Sequence, residues 1–353
     1  MNYRSLKITN FRAINSLEAD DFKRVNLITG KNNCGKTTFL EALFLISGMS
    51  NPQLPIVINN FRDLILNGDD NFSFLFNKLD FSRVPEISAG INSHIRTITI
   101  KPRYGYDIAS NLITDDKKLL ITESGKSIIT TSKEVSINGL IVEFSDSNVK
   151  GAFKNEISLR ENKLSTPSGY KETLVCVFYN TQFGLVQLDR KIELLLVNKQ
   201  LGNIITILQE IDTRISDLRL GANGMIYADV GYDKLVPINI MGDGIRRILS
   251  IIANISGCQN GILLIDEIEN GFHYSSLEIL WRAILKTAAL YNVQLFITTH
   301  SQECIAALSS VYSKNQDDNI RLYRIEKSEN SHSVFKYSPE MIATGMESNY
   351  EVR

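Results

Sequence analysis

Two stretches far apart in this chain carry the side chains needed to handle one nucleoside phosphate. In Gly30-Lys31-Asn32-Asn33-Cys34-Gly35-Lys36-Thr37 the glycines let backbone N–H groups converge on phosphate oxygens. Lys36 is long enough to reach the β and γ phosphates, and the Thr37 hydroxyl is a ligand for Mg²⁺. Lys31, Asn32, Asn33, Cys34 and Thr38 belong to the same nucleotide-binding stretch. Cys34 has two readings: a thiol at a helix N-terminus with a depressed pKa, acting as a redox switch, or a small residue filling a tight loop. The second stretch, Ile262-Leu263-Leu264-Ile265-Asp266-Glu267, ends a buried run on two acids. Asp266 suits the Mg²⁺ shell, and Glu267, one residue beyond, is placed to act as general base on an attacking water. ATP and Mg²⁺ are the expected cofactors.

Two further groups fit this chemistry. His300 closes the run Phe296-Ile297-Thr298-Thr299-His300, at a strand end where α/β sheets bind ligands, and an imidazole there can sense or stabilise a γ-phosphate. In Met241-Gly242-Asp243-Gly244 two glycines open an apolar helix, whose free N–H groups and dipole form a second anion site. The Lys36 loop has no need of it, so its natural use is a nucleotide bound by another subunit; the plainer reading is a turn before a core helix. His94 and His332 read as ordinary structural histidines.

The elements that must position these groups follow from hydrophobic period. Residues 3 to 9 and 25 to 29 read as strands, the second running straight into the glycine loop. Phe39, Leu40, Leu43, Phe44 and Ile46 have helical spacing, with Gly48 as a stop. Residues 51 to 82 read as loops and short helices. Arg96 to Lys101, 118 to 122, 127 to 131, Leu140 to Ser145 and Leu174 to Tyr179 are β-rich runs that predict an antiparallel subdomain. Residues 187 to 212 turn helical, with no heptad run long enough for a coiled-coil arm. Beyond them helix 244 to 255, strand 261 to 265, helix 275 to 289 and strand 293 to 298 alternate, the mark of a mostly parallel α/β layer.

Composition limits the rest. At 353 residues and 43% hydrophobic the chain can bury a substantial core. Lys plus Arg (38) balances Asp plus Glu (39), so no global basic field draws it to nucleic acid or an anionic membrane, and any DNA contact must use a local patch. Cys34, Cys176, Cys258 and Cys304 form no Cys-x-x-Cys pair, which argues against a disulfide framework or structural zinc and for a reducing cytoplasm. No apolar stretch approaches the roughly 20 residues of a membrane span, so no membrane partner is expected.

Taken together the motifs resemble an ABC-type ATPase, and in detail the OLD-like branch related to RecF and SMC proteins. Leu-Lys-Ile-Thr-Asn-Phe-Arg (6 to 12) looks like that branch's first strand, residues 30 to 43 like its Walker A helix, Met-Gly-Asp-Gly-Ile-Arg-Arg like its signature, Asp-Glu-Ile-Glu-Asn-Gly-Phe-His (266 to 273) like its extended Walker B, and Thr-Thr-His-Ser like its switch loop. The resemblance implies a two-lobed head with a mixed, mainly parallel core sheet, a β-rich insertion and a helical lobe. Residues 1–50 form the first lobe with Walker A, 51–180 the insertion and β-subdomain, 181–240 the helical lobe, and 241–353 the signature, Walker B and switch part. It also implies that two heads sandwich two ATP molecules, with Gly242, Asp243 and Gly244 on the partner's γ-phosphate. Gly242 stands where a serine is usual, so one hydroxyl contact is missing and turnover is expected to be slow. Arg12 is expected to reach nucleotide phosphates, Asn270 and His273 to lie near the dimer seam, and Gln182 is the candidate for the glutamine that couples the lobes at the metal.

Full-length OLD nucleases continue into a Toprim domain, whereas the chain after Ser301 is well short of a typical domain of about 100 residues. The expectation is an ATPase without a nuclease of its own, a homodimer or higher oligomer that senses and regulates a separate nuclease or toxin in anti-phage defence. A RecF-like ATPase clamping DNA and a transporter's nucleotide-binding subunit are the alternatives.

Overall fold

The structure, a computed structural model, describes residues 2–108, 133–180, 185–222, 224–329 and 331–347. In chain order its elements are β1 (Tyr3–Phe11), β2 (Ile14–Asp20), β3 (Val25–Thr29), α1 (Lys36–Ser47), α2 (Leu54–Asn60), β4 (Glu86–Ile91), β5 (His94–Ile108), β6 (Lys133–Asp146), β7 (Ala152–Ser158), β8 (Lys163–Ser165) and β9 (Cys176–Asn180). There follow α3 (Leu188–Val197), α4 (Leu201–Gln209), β10 (Asp217–Leu220), β11 (Ile226–Asp229), β12 (Val236–Pro237), α5 (Asp243–Gly257), β13 (Ile262–Asp266), α6 (Leu277–Leu290), β14 (Gln294–Thr298), α7 (Gln302–Asn315), β15 (Ile320–Lys327), β16 (His332–Tyr337) and α8 (Pro339–Glu347).

The site rests on the sheet β16-β15-β3-β14-β13-β9, parallel except for β16 at its edge. Its central strands Val-Asn-Leu-Ile-Thr, Ile-Leu-Leu-Ile-Asp and Gln-Leu-Phe-Ile-Thr are nearly continuous apolar runs, as strands covered on both faces must be. Side chains alternate between faces. Val25, Leu27, Leu263, Ile265, Leu295 and Ile297 pack into one core with α5, α6 and α7. Ile28, Ile262, Leu264 and Phe296 join the other, with α1 and the large antiparallel sheet. In that second core Phe22 meets Phe296 and Tyr323 edge-on, with ring centroids 5.0 and 5.3 Å apart.

The β-rich region is a seven-stranded sheet, β2-β1-β4-β5-β6-β7-β8, antiparallel throughout. Two expectations change here. The run Leu174 to Tyr179 does not belong to this subdomain: as β9 it lies parallel to β13, with Tyr179 beside Ile265 and Asn180 beside Asp266. Short apolar runs look alike whichever sheet takes them, and only pairing decides. The N-terminal hairpin β1–β2, in turn, seeds the antiparallel sheet, so residues 1–50 and 51–180 share one sheet. Residues 118 to 122 and 127 to 131 lie outside the described residues. The stretch 181 to 240 holds α3 and α4 as expected, plus a small sheet, β10-β11-β12. Among the described residues no helix is long and apolar enough to cross a membrane.

One buried ion cluster ties the lobe together. The Arg96 guanidinium, 2% exposed, bonds Asp146 at 3.0 Å and Glu172 at 2.9 Å, and reaches the Ser47 carbonyl at the end of α1. Removing one member leaves a buried charge unpaired. Arg96→Ala is expected to cost about 3 kcal/mol of stability in urea denaturation; a loss below about 1 kcal/mol would show that Asp146 is satisfied without Arg96.

Candidate functional site

The glycine loop takes its shape from what presses on it. Gly30 has φ 141°, and a Cβ there would stand 2.3 Å from the Ile325 carbonyl oxygen of β15 and 2.7 Å from Cys34 Sγ. Gly35, with φ 101°, caps α1 without a side-chain bond, which leaves the first N–H groups of the helix for an anion. Lys36 Nζ folds back over the loop, donating to the Gly30 carbonyl at 2.8 Å and the Lys31 carbonyl at 3.2 Å.

Across from it, the sheet register sets Thr298 at the end of β14 and Asp266 at the end of β13. The Thr298 hydroxyl donates to Asp266 Oδ1 at 2.5 Å and accepts from the Glu267 N–H at 2.8 Å. Thr37 Oγ1 donates to Asp266 Oδ2 at 3.0 Å. The two motifs of the sequence therefore meet through one carboxylate. Burial raises the Asp266 pKa; the bonds from Thr298 and Thr37 oppose this, and the charges of Glu267 and Glu41 add to it. A desolvated carboxylate beside a threonine hydroxyl is a hard-oxygen pair suited to Mg²⁺ completed by phosphate and water. Among the described residues there is no group of three or more His, Cys, Asp or Glu placed to hold a metal ion.

Glu267 leaves the strand at φ 51°, and Asn270 Nδ2 donates to its Oε2 at 2.6 Å. His300 donates its backbone N–H to Glu269 Oε1 at 2.9 Å and holds Nδ1 2.9 Å from the same oxygen. That bond fixes the ring and leaves Nε2 for the cavity. The cavity, about 700 Å³, is lined by Asn32, Asn33, Gly35, Lys36, Thr37 and Thr38 from the loop, by Asp266, Glu267 and His300 from the strand ends, and by Arg62 and Lys327.

Three expectations are refined. Arg12 is not aimed into this cavity: 8% exposed, it pairs with Glu41 at 2.9 Å and donates to Asn59 Oδ1 and the Ile58 carbonyl, because a fully buried Glu41 demands cations. Burial lowers its pKa to about 10, against the pull of Glu41. Cys34 is 3% exposed, and burial raises its thiol pKa, with Lys36 opposing; it fills the space under Gly30 and lacks the character of a redox switch. Gln182 lies outside the described residues. Met241, Gly242, Asp243 and Gly244 do not line the cavity, and a Cβ on Gly242 or Gly244 would meet nothing within 4 Å. Within its own chain Gly244 is thus not required by packing.

Arg62 and Glu269 were missed. Arg62 grips Glu41 at 2.7 Å and bonds Thr38 Oγ1 at 3.3 Å. Burial works against its charge, yet the bond to Glu41 more than offsets this and its pKa is raised. The available signal was Glu41 itself, an acid set among the apolar residues of α1. Glu269 carried a weaker signal, three residues past Asp266 in the same acidic run. Arg247 is also new: its guanidinium lies against Gly271, where a Cβ would come within 2.5 Å of Cζ, joining α5 to the segment after Glu267.

Fold and site together define an ABC-type ATPase head. The family model described as "AAA domain, putative AbiEii toxin, Type IV TA system" matches residues 25–306, and the chain belongs to that family. It is 23% identical to the "ATP/GTP phosphatase" of Helicobacter pylori over 337 residues, 87% of this chain and 88% of that one. It is 24% identical to the "Endonuclease GajA" of Bacillus cereus over 440 residues, covering 95% of this chain and 62% of the relative. An SMC head crystallised with the C-winged helix domain of ScpA shares the fold, with a TM-score of 0.51 at 12% identity over 96% of this chain and 99% of that one.

If Glu269 acts through His300, His300→Ala and Glu269→Ala should each lower kcat for nucleotide hydrolysis on the order of 10-fold to 100-fold with affinity unchanged. The double variant should be no slower than His300→Ala alone; additive losses in steady-state assays would separate the two roles.

Proposed function

We propose that this chain binds Mg·ATP, hydrolyses it to ADP and phosphate, and dimerises around it to control a separate nuclease or toxin effector in bacterial anti-phage defence. The observation that supports the catalytic part is the bonded series Thr37–Asp266–Thr298–Glu267, which brings the glycine loop, Asp266 and Glu267 around one cavity. Lys36 would hold the β and γ phosphates. Thr37 and Asp266 would hold Mg²⁺, which supplies charge neutralisation at the phosphates. Glu267 takes a proton from water as its oxygen bonds to the γ-phosphorus; the bond from that phosphorus to the bridging oxygen breaks, and ADP leaves. His300 Nε2 is available to the γ-phosphate.

The dimer reading is supported by the exposed Gly242 and the half-buried Gly244, where an added Cβ would meet nothing within 4 Å, and by two exposed hydrophobic residues, Ile240 at 75% just before them and Tyr274 at 69% just after His273. The effector reading is supported by the family description, which cites a toxin–antitoxin system, and by an endonuclease relative of which this chain spans 62%.

Lys36→Ala is expected to weaken ATP binding on the order of 100-fold in calorimetry, since it removes the charge that offsets the phosphates. Glu267→Gln should retain ATP, lose on the order of 100-fold in kcat, and accumulate as a dimer in light scattering with ATP. Wild-type turnover by Glu267→Gln would refute its role as base. For the effector, co-purification with the product of the adjacent gene should depend on ATP; an ATPase that never associates with it would remove the regulatory part of the proposal.

A further inference from the structure

One turn of the chain holds both groups assigned to the hydrolytic step. Between Glu267 and Phe272 the backbone folds on itself, the Asn270 N–H donating to the Glu267 carbonyl at 3.1 Å and the Phe272 N–H to the Glu269 carbonyl at 3.0 Å. From this turn Asn270 Nδ2 holds Glu267 Oε2 at 2.6 Å, while Glu269 Oε1 accepts the His300 N–H and faces its Nδ1, both at 2.9 Å. Glu267 and His300 are therefore set over the cavity together.

What supports the turn comes from another element. Arg247 stands on α5 one helical turn past Gly244, and its half-buried guanidinium lies so close under Gly271 that a Cβ there would come within 2.5 Å of Cζ, 2.6 Å of Nε and 2.8 Å of Nη1. Nε is sealed from solvent without a hydrogen-bond partner. A buried donor is left unpaired only at a cost, so on this side the guanidinium is seated by its shape against Gly271 and not by a bond of Nε. The start of α5 is also the part of the helix free to shift: residues 243 to 247 are exposed or half-buried, whereas every residue from Ile248 to Ser256 is buried. A displacement at Gly242 to Gly244 thus moves Arg247, and Arg247 bears on the turn.

We propose that Arg247 is a positioning residue for hydrolysis: it holds the turn 267–273 from beneath, and through it the engagement of a second head on Gly242 to Gly244 reaches Glu267 and His300 together. The inference rests on the hydrolytic and dimer readings above and adds how the two are coupled.

The test uses the full chain, with Mg·ATP for turnover and Mg·AMPPNP for calorimetry and light scattering. Arg247→Ala should lower kcat on the order of 10-fold to 100-fold, the effect of reacting groups misplaced by about 1 Å, while AMPPNP affinity and the AMPPNP-bound dimer stay as in the wild type. Arg247→Met keeps the bulk under Gly271 without the charge and should retain most of the turnover. Gly271→Ala should be as slow as Arg247→Ala. Adding Arg247→Ala to it should raise kcat again, because the methyl then takes the vacated space and the backbone strain at φ 81° is the same in both proteins.

Unchanged kcat in Arg247→Ala overturns the proposal. So does Arg247→Met as slow as Arg247→Ala, which would give the charge a contact of its own, or loss of the AMPPNP-bound dimer, which would make Arg247 part of the seam. A fall in kcat matched by a fall in AMPPNP affinity would reduce Arg247 to a prop for the fold. A wild-type protein that hydrolyses no ATP, that stays monomeric with AMPPNP, or that Glu267→Gln equals in turnover would instead overturn the underlying readings and this one with them.

Discussion

The Asp266 carboxylate, taken out of water and held by the hydroxyls of Thr37 and Thr298, is the interaction on which the rest of the structure depends. A buried acid is tolerated only where donors converge on it, and these two arrive from different directions. Thr298 is brought by the parallel register of β13 and β14, and Thr37 by the turn between β3 and α1. Each strand must therefore lie in its own place. The order β15-β3-β14-β13 is the arrangement that sets the loop, the acid and His300 at one edge of one sheet.

A second acid does for the antiparallel lobe what Asp266 does for the core. Glu41, fully buried on α1, draws Arg12 from β1 and its following turn and Arg62 from beyond α2. The two arginines thus lash the irregular segment after α1 to the helix that carries Lys36 and Thr37. Arg62 also lines the nucleotide cavity, so this lashing ends inside the site.

Much of this was legible in the sequence because phosphate binding uses local, ordered patterns. The loop residues 30 to 38, Asp266, Glu267 and His300 line up in single runs, and the structure gathers most of them at one cavity. What escaped were residues whose meaning depends on pairing across the chain. β9 reads as one more short apolar run until β13 lies beside it. Arg12 keeps its place in the motif, yet a buried acid 29 residues on takes its guanidinium. His332 read as an ordinary histidine, and only its two unsatisfied ring nitrogens set it apart. The signature glycines differ again, since neither lines the cavity and an added Cβ on either would meet nothing within 4 Å.

The contact of the Ile325 carbonyl with Gly30 has a consequence for the order of biosynthesis. The glycine loop is made before the strand that presses it into shape, which is translated after β9, β13 and β14. A nascent chain folding as it leaves the ribosome can build the β1–β2 hairpin and the antiparallel sheet first, while its nucleotide site waits for β15. The loop therefore takes its shape only once β15 has been made, and a chain cut before β15 carries the motif without the strand that shapes it.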